Sequence, residues 1–330
     1  MPLLDVKDLS VTFSRRGQRT VRAVDGVSFA VEAGEVVGLV GESGCGKSVT
    51  SLALMGLLPK QKGVTIGGSA MFGDTDLLQT DERSMRDIRG RDVAMIFQDP
   101  LSSLNPVVPI GIQVTEVLTR HRGLTGEAAR KEAVELLNRV GIPDPSRRLK
   151  EYPHQLSGGM RQRALIAMAV ACAPKLLIAD EPTTALDVTI QAQILELLRE
   201  LVRESGTALI MITHDLGVVA GMCDKVNVLY AGRVIESARR KPLFADPRHP
   251  YTNGLLGSVP RLDSGKGERL HAIRGSVRDV LPWPDGCAFA PRCDQRVEAC
   301  VGEPPALVED IHRHAYRCVN PESRTAEVPS

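Results

Sequence analysis

The segment from residue 41 to residue 48, GESGCGKS, constrains this chain more than any other part of its sequence. It follows a short apolar run at residues 35–40, EVVGLV, and precedes a helical pattern at residues 48–58 that Pro59 stops. A glycine-rich loop between a strand and a helix lets backbone N–H groups converge on phosphate oxygens. The predicted phosphate-binding loop consists of Gly41, Glu42, Ser43, Gly44, Cys45, Gly46, Lys47 and Ser48, with Val49 following.

The last two loop residues carry specific chemistry. Lys47 has the reach to contact the outer phosphates of a nucleotide, and the Ser48 hydroxyl can bind Mg²⁺. The alternative is an ordinary glycine turn before a helix. The strand and helix on either side favour the phosphate loop over that alternative.

A second motif, LLIADE at residues 176–181, is an apolar strand that ends in two carboxylates. Asp180 at the strand tip can hold Mg²⁺ through water, and Glu181 is then placed to polarise an attacking water. Such a pair is common on protein surfaces when it stands alone. Together with the phosphate loop it predicts a hydrolysis site.

A third motif, LSGGM at residues 156–160, predicts another helix start that can bind phosphate, through Ser157, Gly158 and Gly159. One chain has no obvious use for two γ-phosphate sites on separate elements. We therefore expect the second site to face a nucleotide that another subunit holds.

The periodicity of the remaining chain predicts a mostly parallel sheet covered by helices on both faces, an α/β fold. Further strands are predicted at residues 3–13, 21–32, 93–97 and 208–212, and a hairpin at 225–234 that turns at Ala231 and Gly232. Helices are predicted at residues 110–140, with a break near 123–125, and at 158–171 and 188–204.

Composition excludes little by itself. Among 330 residues the 41 basic and 40 acidic side chains nearly cancel, which argues against tight binding of nucleic acid. The first residues show no signal-peptide pattern. The longest apolar run, residues 164–173, is half of the ~20 residues that a membrane span needs.

Beyond about Glu236 prolines accumulate and regular periodicity fades, which predicts a separate appendage with a flexible stretch near residues 263–267. Four of the seven cysteines lie here: Cys287, Cys293, Cys300 and Cys318. Without a secretory signal a disulfide framework is not expected. The spacing suits tetrahedral Zn²⁺ or an iron–sulfur cluster and does not decide between them, and thiols without a metal are the third alternative.

The order of the motifs resembles the ATPase subunits of ABC transporters over about residues 3–240. It comprises the phosphate loop, Gln98 in FQDP, LSGGMRQR, LLIADEP, ALD at residues 185–187 and THD with His214. PRHPYT at residues 247–252, LLGSVP after it and the late cysteines resemble the oligopeptide/dipeptide importer branch.

This resemblance implies a P-loop ATPase fold with a RecA-like parallel core sheet, an antiparallel β subdomain and a helical subdomain at about residues 100–172. The nucleotide-binding domain would cover residues 1–236 and a cysteine-rich C-terminal domain residues 237–330. For the cysteines the resemblance implies a [4Fe–4S] cluster, with Zn²⁺ as the alternative.

The resemblance also implies roles for single residues. Gln98 would contact Mg²⁺ and the transmembrane partner, and Ser157, Gly158 and Gly159 would clamp the γ-phosphate held by the opposite subunit. Asp187 would contact across the dimer. His214 would bind the γ-phosphate and hold the attacking water.

Two further positions are Phe13, near the N-terminus, and Met160, in the LSGGM motif. The resemblance implies that an aromatic residue near the N-terminus stacks on adenine. Phe13 is the expected one, because it follows the first strand and no other aromatic residue precedes Phe29; a core phenylalanine is the alternative. Met160 departs from the glutamine of many relatives. Because the serine and the glycine backbone supply the phosphate contacts, we expect function to survive this departure.

The implied function is an ATP-hydrolysing motor that binds ATP and Mg²⁺ and drives di- or oligopeptide import. Its partners would be a second, non-identical ATPase subunit, two permease subunits and, indirectly, an external solute-binding protein, with no nucleic acid. It would lie on the cytoplasmic face of the inner membrane. Alternatives are a nickel or glutathione importer, a soluble ABC ATPase acting on DNA or ribosomes, and a nucleotide-gated scaffold without hydrolysis.

Overall fold

The computed structural model describes residues 1–14, 17, 20–59, 63–184, 186–258, 273–277 and 285–322. The stretch near residues 263–267 that was predicted to be flexible lies outside these residues. The strands are β1 Leu4–Phe13, β2 Val21–Val31, β3 Val36–Val40, β4 Val64–Phe72, β5 Thr75–Asp76, β6 Val93–Ile96, β7 Leu176–Asp180, β8 Ala208–Thr213, β9 Lys225–Tyr230, β10 Arg233–Arg239, β11 Val308–Glu309 and β12 Ala315–Tyr316.

The helices alternate with these strands. They are α1 Lys47–Leu54, α2 Glu82–Ile88, α3 Pro100–Ser103, α4 Ile110–Arg122, α5 Gly126–Arg139, α6 Pro145–Arg148, α7 Gly158–Val170, α8 Val188–Ser205, α9 Leu216–Met222, α10 Arg240–Ala245 and α11 Pro250–Gly257. In the described part of the chain, no helix is both long enough and apolar enough to cross a membrane.

The chain divides into two compact units. The first comprises Met1–Leu4, Val31–Glu35 and Phe72–Met211, and the second comprises Asp5–Ala30, Val36–Met71 and Ile212–Ser330. The carboxylate and LSGGM motifs therefore belong to the first unit, and the phosphate loop belongs to the second.

The first unit is built on parallel strands. β6 pairs with β7 in parallel, from Val93 opposite Leu176 to Ile96 opposite Ala179, and β8 lies on the other side of β7. Every residue of β6 and β7 is buried, as expected for parallel strands that are covered on both faces. Asp180 is the last residue of β7 and so lies at the strand tip, as its sequence predicts.

The helices of the first unit confirm the predicted interruption near residue 123. α4 ends at Gly123, whose φ of 66° is in the left-handed region that favours glycine, and α5 begins at Gly126. The buried residues of α4 include Ile110, Val114 and Leu118, spaced four apart, so one face of the helix is buried. Helices α4, α5 and α7 pack against one another.

The second unit also contains a parallel pair, β3 with β9, and β9 continues into β10 through a tight turn. Ala231 and Gly232 form the turn, with φ of 52° and 77°. Two successive residues with positive φ match the twist of a two-residue hairpin, and the predicted turn is confirmed. β10 runs to Arg239, five residues beyond the predicted end of the hairpin, with a bulge between Val234 and Glu236.

The region after Glu236 is more regular than its sequence predicts. It contains α10 and α11, and β12 pairs antiparallel with β10, placing Tyr316 opposite Glu236 and Ala315 opposite Ser237. Its helices and strands are too short to show a regular period in the sequence. In addition, Pro250 begins α11 at a position where proline fits, since the first helical N–H has no intrahelical partner.

An aromatic cluster anchors α11 within the second unit. The ring of Tyr251, which is fully buried, lies 4.7 Å from the ring of Tyr230 and 5.3 Å from that of Phe289, both edge-on. Such contacts stabilise beyond simple burial of area. The C-terminal residues are therefore packed onto the strand pair β9 and β10.

Candidate active site

The phosphate loop has the backbone that its sequence predicts. It leaves β3 at Gly41 with φ of 149° and enters α1 after Gly46 with φ of 101°. A Cβ on Gly41 would lie 2.3 Å from the carbonyl oxygen of Leu229, and one on Gly46 would lie 2.4 Å from that of Ala23. Only glycine fits at both positions, because neighbouring backbone occupies the space of any side chain.

Lys47 is held inside this loop. Its side chain is almost fully buried, and Nζ donates to the carbonyl oxygens of Gly41 at 2.7 Å and Glu42 at 3.0 Å. The ammonium is thus positioned by backbone groups at the start of α1. Cys45 beside it is fully buried, and burial raises the pKa of its thiol, so it packs as an uncharged residue.

The carboxylates at the end of β7 have different surroundings. Asp180 is buried, whereas Glu181 is partly exposed and has a φ of 46°. A residue with a side chain costs about 1–2 kcal/mol in this left-handed conformation. Such strain is concentrated at functional sites, where the surrounding structure holds it in place.

The structure brings Gln98 and Glu181 together. Gln98 Nε2 donates to Glu181 Oε2 at 3.0 Å, although the residues are 83 positions apart, and Thr184 Oγ1 donates to the same oxygen at 2.9 Å. Sequence reasoning missed Thr184. Its position three residues after Glu181, in the turn closed by the Thr184 N–H and the Glu181 carbonyl, was the available signal.

The LSGGM motif begins helix α7 as predicted. Ser157 is the N-cap residue, and its Oγ accepts the Met160 N–H at 3.3 Å, which leaves the hydroxyl proton available to donate. The Met160 side chain takes no part in this cap.

The start of α7 lies close to the start of α8 in the first unit. A Cβ on Gly159 would lie 2.9 Å from Ile190 Cγ2, and one on Gly158 would lie 3.7 Å from Leu186 Cδ2. Asp187 caps α8 by accepting the Ile190 N–H at 3.0 Å. The structure therefore brings the Ser157–Gly159 motif and Asp187 to one side of this unit.

His214 and Phe13 lie in the second unit. His214 is exposed and directly follows β8, and Asp215 beside it caps α9 by accepting the Gly217 N–H at 2.7 Å. Phe13 is half-buried at the last position of β1. The roles predicted for both residues stay predictions.

Burial raises the pKa of three of the late cysteines, Cys287, Cys293 and Cys318. The pKa of Cys318 is raised to about 11, by burial first and to a lesser extent by the charges of Cys287, Cys293 and Cys300. The Cys287 N–H also donates to the Cys300 carbonyl at 2.9 Å. Among the residues that the structure describes, no group of three or more His, Cys, Asp or Glu side chains is arranged to hold a metal ion. The metal site at these cysteines stays a prediction.

Two sequence families match the chain. The family described as ABC transporter matches residues 24–184, and the family described as oligopeptide/dipeptide transporter, C-terminal region, matches residues 235–300. Together they cover the motif region and the segment that follows it.

Curated relatives match nearly the whole chain. The dipeptide transport ATP-binding protein DppD of Bacillus subtilis (strain 168) is 52% identical over 316 residues, which cover 96% of this chain and 94% of that protein. The oligopeptide transport ATP-binding protein OppD of the same organism is 49% identical over 329 residues, covering 99% of this chain and 92% of that protein.

Solved structures agree with the fold. The ATP-binding cassette MJ0796, solved as a dimer bound to ADP and Pi, has a TM-score of 0.63 and 30% identity, covering 72% of this chain and 98% of that chain. The protein cbiO1 from Clostridium perfringens, part of the ABC transporter complex cbiONQ, has a TM-score of 0.61 and 29% identity, covering 74% of this chain and 91% of that chain. The predicted α/β cassette fold is confirmed. The chain belongs to the ATP-binding subunits of the oligopeptide/dipeptide ABC transporters, which are ATPases that drive transport.

Proposed function

We propose that this chain is the ATP-hydrolysing motor of an importer whose cargo is a di- or oligopeptide. The observation that carries the proposal is the match of residues 235–300 to the peptide-transporter C-terminal family, together with about 50% identity to DppD and OppD. Nickel and glutathione importers are the competing assignment, and they are outcomes of the test below.

The phosphate loop is proposed to bind ATP. Its backbone is shaped by Gly41 and Gly46, and Lys47 is already held on the loop by two carbonyl oxygens, so little ordering is needed when phosphate oxygens replace them. Bound Mg²⁺ would neutralise charge on the phosphates. Ser48, Gln98 and Asp180 are the residues proposed to hold it.

Glu181 is the proposed general base. Its carboxylate is oriented by Gln98 and Thr184, which both donate to Oε2, and it is proposed to accept a proton from an attacking water. His214 is proposed to hold that water and the γ-phosphate. Phosphoryl transfer depends mainly on positioning and charge compensation. Glu181 and His214 would position the water, and Lys47 and Mg²⁺ would compensate the charge.

The active assembly is proposed to contain two cassettes. Ser157, with its hydroxyl proton available, and the glycines after it would contact the γ-phosphate held by a similar but non-identical subunit. Asp187, exposed at the start of α8, would contact that subunit. A dimeric structure of the related cassette MJ0796 supports this arrangement.

Membrane partners are proposed to bind near Gln98 and the start of α4. Val107 is 77% exposed and Ile112 is 57% exposed, although both are apolar. Exposed apolar side chains of this kind suit contact with another subunit. The permease subunits would bind this surface at the inner face of the membrane.

The four late cysteines are proposed to bind a [4Fe–4S] cluster. Thiolates are the ligands of such clusters, and Cys287, Cys293, Cys300 and Cys318 supply four of them in a short span of sequence. Iron and sulfide analysis of anaerobically purified protein checks this. About four iron and four sulfide per chain are expected; zinc alone, or neither element, contradicts the cluster.

Reconstitution tests the transport function. The chain would be co-purified with its permease subunits and partner ATPase, placed in vesicles with the solute-binding protein, and assayed for ATP hydrolysis. Peptide-loaded binding protein is expected to stimulate hydrolysis, and Lys47→Ala is expected to abolish the stimulation because ATP binding is lost. Stimulation by nickel or glutathione but not by peptides would contradict the peptide assignment.

A further inference from the structure

Arg292, in the C-terminal region, is bound to the phosphate loop. Its side chain is 4% exposed, and Nη1 and Nη2 donate to the Glu42 carboxylate at 2.7 and 2.9 Å. The remaining donors contact the Tyr230 hydroxyl at 3.3 Å and the carbonyl oxygens of Arg274 at 2.8 Å and Gly275 at 3.0 Å. A guanidinium has five N–H groups, and all five are used here.

Glu42 is held from other directions as well. Its backbone N–H donates to the hydroxyl of the fully buried Tyr251 at 2.9 Å, and its carbonyl oxygen accepts from Lys47 Nζ at 3.0 Å. The backbone and side chain of the second loop residue are therefore fixed by two residues of the C-terminal region and by the loop lysine. Bidentate arginine–carboxylate pairs fix geometry as well as charge.

The charge of Glu42 raises a physical problem for a phosphate loop. Its carboxylate, 29% exposed, lies in a loop that is built to bind a polyanion, and like charges at short distance repel. A buried guanidinium on the same carboxylate cancels that charge. Without the guanidinium, the loop would carry an uncompensated negative charge.

We propose that Arg292 is a positioning residue for nucleotide binding, which neutralises and orients Glu42 so that the loop accepts phosphate. The C-terminal region thereby contributes to the affinity of the loop for ATP. This inference concerns ATP binding by the chain alone and does not depend on which cargo the transporter carries.

The test is titration of the full-length chain with ATP and Mg²⁺, comparing Arg292→Gln, Glu42→Gln and the double variant. Arg292→Gln is expected to weaken ATP binding about tenfold, because an uncompensated carboxylate remains beside the phosphates. Glu42→Gln alone is expected to lose less ATP affinity than Arg292→Gln, because it leaves no carboxylate in the loop. The double variant is expected to regain affinity to within about threefold, because neither charge is left.

This rescue distinguishes charge neutralisation from simple loosening of the C-terminal region. Arg317→Ala is the matched control, since Arg317 lies in the same region and its side chain donates to the backbone carbonyls of Val234 and Pro305 rather than to the loop; its ATP affinity is expected to equal that of the parent. The proposal is overturned by parental affinity in Arg292→Gln, by an equal loss in Arg317→Ala, or by no rescue in the double variant. Should Arg292→Gln fail to fold, the double variant decides alone, and a tenfold loss there overturns the proposal.

Discussion

Replacing Glu181 by glutamine separates hydrolysis from binding and folding. The substitution keeps the size of the side chain, and the new amide oxygen can occupy the position of Oε2. The amide oxygen would then still accept the hydrogen bonds from Gln98 Nε2 and Thr184 Oγ1, which lie 3.0 and 2.9 Å from Oε2 in the parent. Two charge-assisted hydrogen bonds become neutral ones, and at this partly exposed position we expect at most about 1–2 kcal/mol less stability.

The effect on hydrolysis is expected to be much larger. An amide cannot accept a proton from water at neutral pH, so the contribution of a general base, about 10²–10⁴-fold in rate, is lost. This corresponds to ~3–5 kcal/mol of barrier height. ATP affinity is expected to stay within about threefold of the parent, because the phosphate loop in the second unit is unchanged.

The assay is steady-state ATP hydrolysis by the reconstituted transporter, with ATP titration of the isolated chain in parallel. Thr184→Val is the matched control, because it removes one of the donors to Glu181 and keeps the carboxylate. A rate reduced only a few-fold is expected for it, since Gln98 still orients the base. Thermal unfolding of both variants verifies that the fold is retained.

A Glu181→Gln transporter that hydrolyses ATP at the parental rate would refute the assignment of Glu181. The reasoning also fails if Thr184→Val loses as much activity as Glu181→Gln. In that case the turn around Glu181, rather than its carboxylate, would limit the rate.

Three further predictions concern a loop glycine and two buried histidines of the second unit. Gly41→Ala is expected to abolish ATP binding in a titration, because its Cβ would collide with backbone. Gly123→Ala in the first unit has open space around it and should lower the free energy of unfolding in urea by only about 1 kcal/mol. His314→Ala removes a donor from the fully buried Glu236 carboxylate, 2.6 Å away, and should lower the free energy of unfolding by about 3 kcal/mol; an unchanged urea midpoint would contradict this. Burial lowers the pKa of His249 from 6.5 to about 4, so the unfolded chain gains a proton first as the pH falls. Stability should therefore drop by about 3 kcal/mol between pH 6.5 and 4, and less in His249→Asn, whose amide oxygen can replace Nδ1 as the cap of α11.

Local patterns were enough to predict the phosphate loop and most helices and strands. The positive φ of Gly41, the N-cap at Ser157 and the turn at Ala231 each depend on a few neighbouring residues. The order of motifs was enough to indicate the ABC ATPase family, which the comparisons confirm. The region after Glu236 was less predictable, because its two-residue strands and short helices carry too few residues to show a period.

The sequence by itself therefore determined the chemistry of the site: which residues can bind phosphate and which can act on water. The tertiary structure alone decided which distant groups control them. Glu181 accepts a hydrogen bond from Gln98, 83 residues away in the sequence, and Glu42 accepts one from Arg292, 250 residues away. No local pattern encodes such a pairing, because the partners meet only when the strands between them have found their register and packed.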